Sequence, residues 1–135
     1  MVKYLSQEWA EQGKKKVLTE LDKAKDLKNM NMSLLNVIQN VPPDNKTMYY
    51  YIKFIDGNLE ELITSSDEAI RQKNPEFTVT GDYTTFVQIS SGQMTSAMAL
   101  LKNRVKMAGN KIKAFTITKP IDTFNSCIAK MTVEY

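Results

Sequence analysis

The sequence predicts an α+β fold, and three observations carry that expectation. Apolar residues recur at a helical period near the N-terminus. Two aromatic-rich extended runs flank an Asp-Gly turn, and the C-terminal half is rich in helix caps and apolar stripes. The 135 residues suit a single domain, 1–135, with an N-terminal helical segment at 2–29 and the sheet and C-terminal helices at 33–135.

From Val2 to about Asn29, the residues Leu5, Trp9, Val17, Leu21, Ala24 and Leu27 fall near one face of a 3.6-residue period, with Gly13 close to the stripe. This predicts one helix, or two abutting ones, anchored by Trp9. Residues 33–41 are β-branched and stop at Pro42-Pro43, because proline bars the helical region for its predecessor; they read as a strand. Residues 48–55 and 59–64 then read as a hairpin around Asp56-Gly57-Asn58, since glycine takes the positive φ of a tight turn. Alternation puts Tyr49, Tyr51 and Lys53 on one face and Tyr50, Ile52 and Phe54 on the other. Ser65 to Pro75 is a loop or a single helical turn.

Phe77-Thr-Val-Thr-Gly81 is a short strand, and Asp82 caps a helix from Tyr83 to about Ser91 that Gly92 ends. Thr95 caps another helix reaching Lys102, which Asn103 ends in a left-handed conformation. Arg104-Val-Lys-Met-Ala108 alternates as a strand does and closes at Gly109-Asn110. Lys111–Lys119 is ambiguous: Ile112 and Phe115 suit a helix, whereas Thr116-Ile117-Thr118 favours extended chain. Pro120 is expected to open a last helix at its first turn, with Ile121, Phe124, Ile128 and Met131 on one stripe.

Composition narrows the chemistry. The chain has no histidine, hence no imidazole base and none of the commonest metal ligand. Cys127 is the single cysteine, which leaves no internal disulfide, no cysteine metal cluster and no base for a nucleophilic thiol; a buried free thiol is the expectation. The acid pair Glu60-Glu61 points to opposite strand faces, and the glycines fall at turns rather than in a phosphate loop. Catalysis, a metal and a cofactor are therefore not expected. A net charge of +3 is too small to argue for nucleic acid, and alternation splits the rings of Tyr49-Tyr-Tyr51 between two faces. Lys14-Lys-Lys16 reads as a solvated helix face because Glu8, Glu11, Glu20 and Asp22 surround it. No leader or membrane-spanning stretch is recognised, so a cytoplasmic protein is expected.

From Tyr50 onward the order of features resembles the sterol carrier protein 2 domain, a small lipid-binding and lipid-transfer module. The resemblance rests on the hairpin tip Asp56-Gly57, the strand-to-helix passage Phe77-Thr-Val-Thr-Gly-Asp-Tyr-Thr-Thr-Phe86 and the helix stop Ser91-Gly92. It continues through the short helix Thr95–Lys102 and the return Asn103-Arg-Val-Lys-Met-Ala-Gly109. The opening Ser6-Gln-Glu-Trp-Ala10 is similar to stand-alone prokaryotic members. The pattern spans about residues 48–131. Asn103 stands where the family usually has glycine and Asn110 where it usually has aspartate, and the threonines at 116–118 depart further.

The resemblance implies a five-stranded, mostly antiparallel sheet covered by helices. It also implies an apolar tunnel for a fatty acid, fatty acyl-CoA, phospholipid or sterol, with the C-terminal helix as wall or lid. It implies no reaction and no cofactor. On that basis the candidate lining residues are Phe86, Ile89, Met94, Met98, Leu101, Phe115, Phe124, Ile128 and Met131, with Arg104 and Lys106 facing a headgroup. Each apolar position suits plain core equally well, and the two cations suit a solubilising surface. The partner expected is a lipid-like small molecule. Transient membrane contact and a monomeric or homodimeric state both stay open. The alternative is a protein-interaction or oligomerisation module of the same fold with a collapsed cavity, using the Tyr-rich strands or the N-terminal helix.

Overall fold

The middle strand of the sheet is a ten-residue run, and everything else is placed by its two neighbours. The computed structural model describes all 135 residues. In chain order they form β1 (Val2–Lys3), α1 (Gln7–Glu20), β2 (Met32–Val41), β3 (Lys46–Ile55), β4 (Asn58–Ser65) and β5 (Phe77–Asp82). Then follow α2 (Tyr83–Ser90), α3 (Ser96–Leu101), β6 (Val105–Ala108), α4 (Lys111–Ile128) and β7 (Val133–Glu134). A 3-10 turn, Glu68–Lys73, links β4 to β5. The large sheet runs β4-β3-β2-β5-β6, antiparallel except for the parallel pair β2–β5. The expected α+β architecture, with five mostly antiparallel strands, is the one observed.

Local chemistry explains most boundaries. The β3–β4 hairpin turns on Asp56 and Gly57, both at positive φ (50° and 79°), as a two-residue turn matched to strand twist requires. Asp82 caps α2 by accepting from the Thr84 N–H, and its carboxylate also accepts from Asn40 Nδ2 at 2.7 Å. Thr95 Oγ1 accepts from the Met98 N–H and starts α3; Asn103 turns left-handed after it, at φ 56°.

Two expectations are corrected. The N-terminal helix is not 2–29 but Gln7–Glu20, because Ser6 Oγ accepts from the Trp9 N–H and sets its start. At its other end Leu21 is extended, and the Asp22 carboxylate gathers the Ala24 and Lys25 N–H groups into a turn. Val2–Lys3 lies outside the helix and pairs in parallel with β7, a contact between chain ends that no local pattern announces. Pro120, in turn, does not open a helix: α4 runs unbroken from Lys111 to Ile128. Asn110 Oδ1 caps it by accepting from the Ile112 and Lys113 N–H groups. The threonines that favour extended chain bond back instead, Thr116 Oγ1 donating to Lys113 O and Thr118 Oγ1 to Ala114 O.

Alternation assigns the faces of the sheet as expected. Leu34, Asn36 and Ile38 of β2 register with Ile52, Tyr50 and Met48 of β3, and the main core lies on this face. Leu35, Val37, Tyr49 and Tyr51 point the other way, where Ile70 of the 3-10 turn packs against them. Arg71 and Lys73 of that turn lie 5.5 Å and 5.4 Å from the centroids of the Tyr49 and Tyr51 rings. All three tyrosines are buried, so the Tyr-rich strands present no open aromatic surface.

Two stability outcomes follow. A Cβ on Gly57 would sit 2.5 Å from the Lys23 carbonyl oxygen, whereas one on Gly92 would meet only Ala129 Cβ at 3.2 Å. In a denaturant titration Gly57→Ala is expected to cost more than Gly92→Ala, on the order of 1–3 kcal/mol for the strained backbone plus the clash. The Asp82 carboxyl is held below its ordinary range by the Asn40 amide first and then by Thr84. The stability it contributes is therefore present above the unfolded carboxyl pKa and lost as pH falls through the lower folded value. Asp82→Ala should cost about 1 kcal/mol at pH 7, with the gap to the parent closing below about pH 4.

Candidate functional site

Between the main face of the sheet and helices α2, α3 and α4 lies an apolar hollow of about 80 Å³. Its floor is Leu34, Asn36 and Ile52; Phe86 and Ile89 of α2 and Ile117 and Ile121 of α4 form its walls. Through Leu100, Val105, Met107, Ala114 and Thr118, which line both spaces, it continues into an outer groove of about 960 Å³ between α3, β6 and α4. A cavity that holds a benzene ring measures about 150 Å³. The inner hollow is pinched, and a hydrocarbon tail enters it only if its walls part.

The expected lining residues divide into four groups. Phe86 and Ile89 do line the hollow. Phe124, Ile128 and Met131 stand apart from it. Phe124 is fully buried edge-on against Phe54, with ring centroids 5.6 Å apart. The tip of Ile128 packs over Gly13, with Met131 Sδ nearby. Met94 borders a shallow cleft beside the hollow. Leu101 and Phe115 stand at the outer groove, 77% and 87% exposed, and Met98 is 41% exposed on α3. The helical stripe misleads there because α3 and the first half of α4 turn their most apolar positions outward. Nor do helical stripes point to the strand residues Leu34, Ile52, Val105 and Met107, although the alternation of 104–108 sets Val105 and Met107 on one face.

The cations are distributed unevenly. Between Asp82 and Asp122 the chain carries Lys102, Arg104, Lys106, Lys111, Lys113 and Lys119 and not one acid, in a molecule whose net charge is +3. Lys106, Lys111 and Lys119 border the outer groove. Lys113 is paired with Glu76 at 2.6 Å. Arg104 precedes β6 and does not line the groove; its Nη2 donates to Gln88 Oε1 at 3.2 Å. The rim thus carries three lysines against one acid, Asp122, beside the exposed apolar Leu101 and Phe115; Ile112 is exposed on the same stretch of α4 but does not line the groove.

Other candidate chemistry is absent or quiet. No group of three or more acidic or thiol side chains is placed to hold a metal. Cys127 is buried, and burial pushes its thiol up, away from the nucleophilic thiolate. Lys16 bridges Glu20 and Lys14 Nζ donates to Glu60 O, as suits a solvated helix face. No helix is long and apolar enough to cross a membrane.

No family model matches the sequence, and neither does any curated protein. Solved structures do match. A conserved hypothetical protein of Thermus thermophilus, described as a candidate sterol carrier protein, superposes with a TM-score of 0.81 at 14% identity, over 99% of this chain and 93% of that one. A crystal structure of sterol carrier protein 2 gives 0.76 at 15% identity, over 96% and 100%. The chain has the sterol carrier protein 2 fold. Another such structure, palmitated sterol carrier protein 2-like 2 of Aedes aegypti, matches with a TM-score of 0.57 at 16% identity, over 86% of this chain and 94% of that one. Within the sterol carrier protein 2 fold, this chain's hollow sits between the sheet and helices α2 to α4.

The division between core and rim can be measured. Phe124→Ala should cost about 3–5 kcal/mol in chemical denaturation, because it leaves a cavity in closed packing. Phe115→Ala, at an exposed position, should change stability by no more than about 0.5 kcal/mol.

Proposed function

We propose that this chain binds a lipid-like ligand reversibly in the apolar hollow, without chemistry, and can carry it. The observation that supports the reading is an apolar space, walled by the sheet and three helices, that opens at a basic rim in a chain with the sterol carrier protein 2 fold. Burying hydrocarbon there would contribute roughly 25 cal/mol per Å². The hollow has no charged lining residue, so an anionic headgroup stays outside, beside Lys106, Lys111 or Lys119. Of the two cations expected at a headgroup, Lys106 keeps that role in this proposal and Arg104 is bound up with Gln88.

Widening the hollow is the step such binding needs, and α4 is built for it. Pro120 has no N–H to give the Thr116 carbonyl, so one helical bond is missing where the two halves of α4 meet. The second half is held by Ile121, Phe124 and Ile128 in the core, while the first half carries exposed Ile112 and Phe115. The first half swings about Pro120 to admit the tail. Its exposed apolar side chains and the basic rim are the surface that would touch an anionic bilayer during loading.

A second reading draws on the small volume of the inner hollow: the same fold acting as an interaction module, with the space closed. Native mass spectrometry separates the two. Co-purified lipid, or saturable displacement of a fluorescent fatty acid, is expected of a carrier; a dry monomer or dimer that takes up no apolar probe supports the module. Ala114 lines both the hollow and the groove, so Ala114→Trp should plug the passage and cut probe binding by at least ~10-fold while the fold, read by circular dichroism, is kept. Undiminished binding in that variant would remove the hollow from the proposal.

A further inference from the structure

Asn36 is the anomaly in the floor of the hollow. It lies near the centre of the middle strand, between Leu34 and Ile38 on the core-facing side, and is only 7% exposed. Its Nδ2 donates to the Tyr50 carbonyl oxygen at 3.2 Å, which fixes the orientation of the amide and leaves Oδ1 as a free acceptor. That oxygen has no hydrogen-bond partner, yet it is not among the buried polar atoms sealed away from all open space; the open space Asn36 borders is the hollow.

The other polar side chains around the hollow are paired, open to a second cleft or sealed off. The Ser90 hydroxyl is 2.8 Å from the Tyr4 hydroxyl, Ser96 donates to Asp122, and Thr118 donates to Ala114 O. Asn125 also borders the shallow cleft beside the hollow, where water can reach it. The Tyr50 hydroxyl lacks a partner but is sealed in the core. Asn36 Oδ1 is therefore the unpaired acceptor that a molecule meets in the floor of the hollow. Once a ligand tail displaces water from the hollow, an acceptor left unpaired there costs roughly 1–3 kcal/mol, a cost that an aliphatic floor would not carry.

We infer that Asn36 selects ligands whose inserted end carries a neutral hydrogen-bond donor, a hydroxyl above all, which donates to Asn36 Oδ1. This rests on the carrier reading and sharpens it. A carboxylate cannot take that place: it has only acceptors to offer, and no cation lines the hollow to balance its charge. Combined with the lysines at the rim, the chemistry fits an amphiphile with an anionic group at one end and a hydroxyl toward the other, as in a hydroxylated fatty acid.

The test compares matched pairs, n-alkanoic acids and their ω-hydroxy counterparts from 8 to 16 carbons, by displacement of a fluorescent fatty acid. The parent protein should bind the hydroxy acid about 5- to 10-fold more tightly at the chain length that spans the hollow. In Asn36→Leu that preference should vanish or reverse while the plain acid binds as well as before or better. Asn36→Val is the second variant, should the first lose its fold. Equal or weaker binding of the hydroxy acids at every length, as a floor satisfied by ordered water alone would give, overturns the inference and leaves the carrier reading standing. Survival of the preference in the variants does the same. Failure of every acid to bind overturns both.

Discussion

The contact that the rest of the molecule depends on is the crossing of α1 and α4 at Gly13. A Cβ there would sit 2.9 Å from Ile128 Cδ1 and 3.3 Å from Leu62 Cδ2, so the tips of both side chains rest directly on the bare backbone of Gly13, and any larger residue would make them shift. With Ile128 in place, Phe124 reaches Phe54 edge-on and Cys127 is buried against the same layer. These contacts anchor the second half of α4. The first half then extends over the sheet, tied at its far end only by the exposed Lys113–Glu76 ion pair, and the space beneath it is the hollow.

That arrangement accounts for a division of labour along one helix. Past Pro120 the apolar residues face inward and stabilise the fold; before it, Ile112 and Phe115 face outward while Ile117 and Ala114 face the hollow. A helix apolar on both sides is costly in water unless one side has work to do. The Asp122 carboxylate adds a tie in the same region, accepting from the N–H and hydroxyl of Ser96 at the start of α3. The two helices around the opening are therefore linked below the proline, where α4 is fixed.

The back of the sheet shows the opposite solution. Leu35, Val37, Tyr49 and Tyr51 are covered by one 3-10 turn and its two cations rather than by a helix layer. Closing this face with so few residues leaves the helices free to serve the other one, and that asymmetry leaves space for a cavity on one side only.

Short-range signals made much of this legible. Asp56-Gly57 demanded a hairpin, Asp82 and Thr95 demanded helix starts, and alternation in 48–55 sorted the tyrosines correctly, because each depends on φ preference, a cap or a period of two within a few residues. The parallel pairing of Val2–Lys3 with Val133–Glu134 was not legible, since two-residue strands have no pattern to read and their pairing joins opposite ends of the chain. Nor was the passage of α4 through Pro120, where tertiary burial of Ile117, Ile121 and Phe124 outweighs a missing hydrogen bond and β-branched residues. The site followed the same divide. An apolar stripe says that a helix buries a face, but whether Phe124 fills a core and Phe86 borders a void depends on how far neighbouring elements stand apart. That distance is set by side chains from every layer at once, and by the lack of one at Gly13, and no single stretch of the sequence contains it.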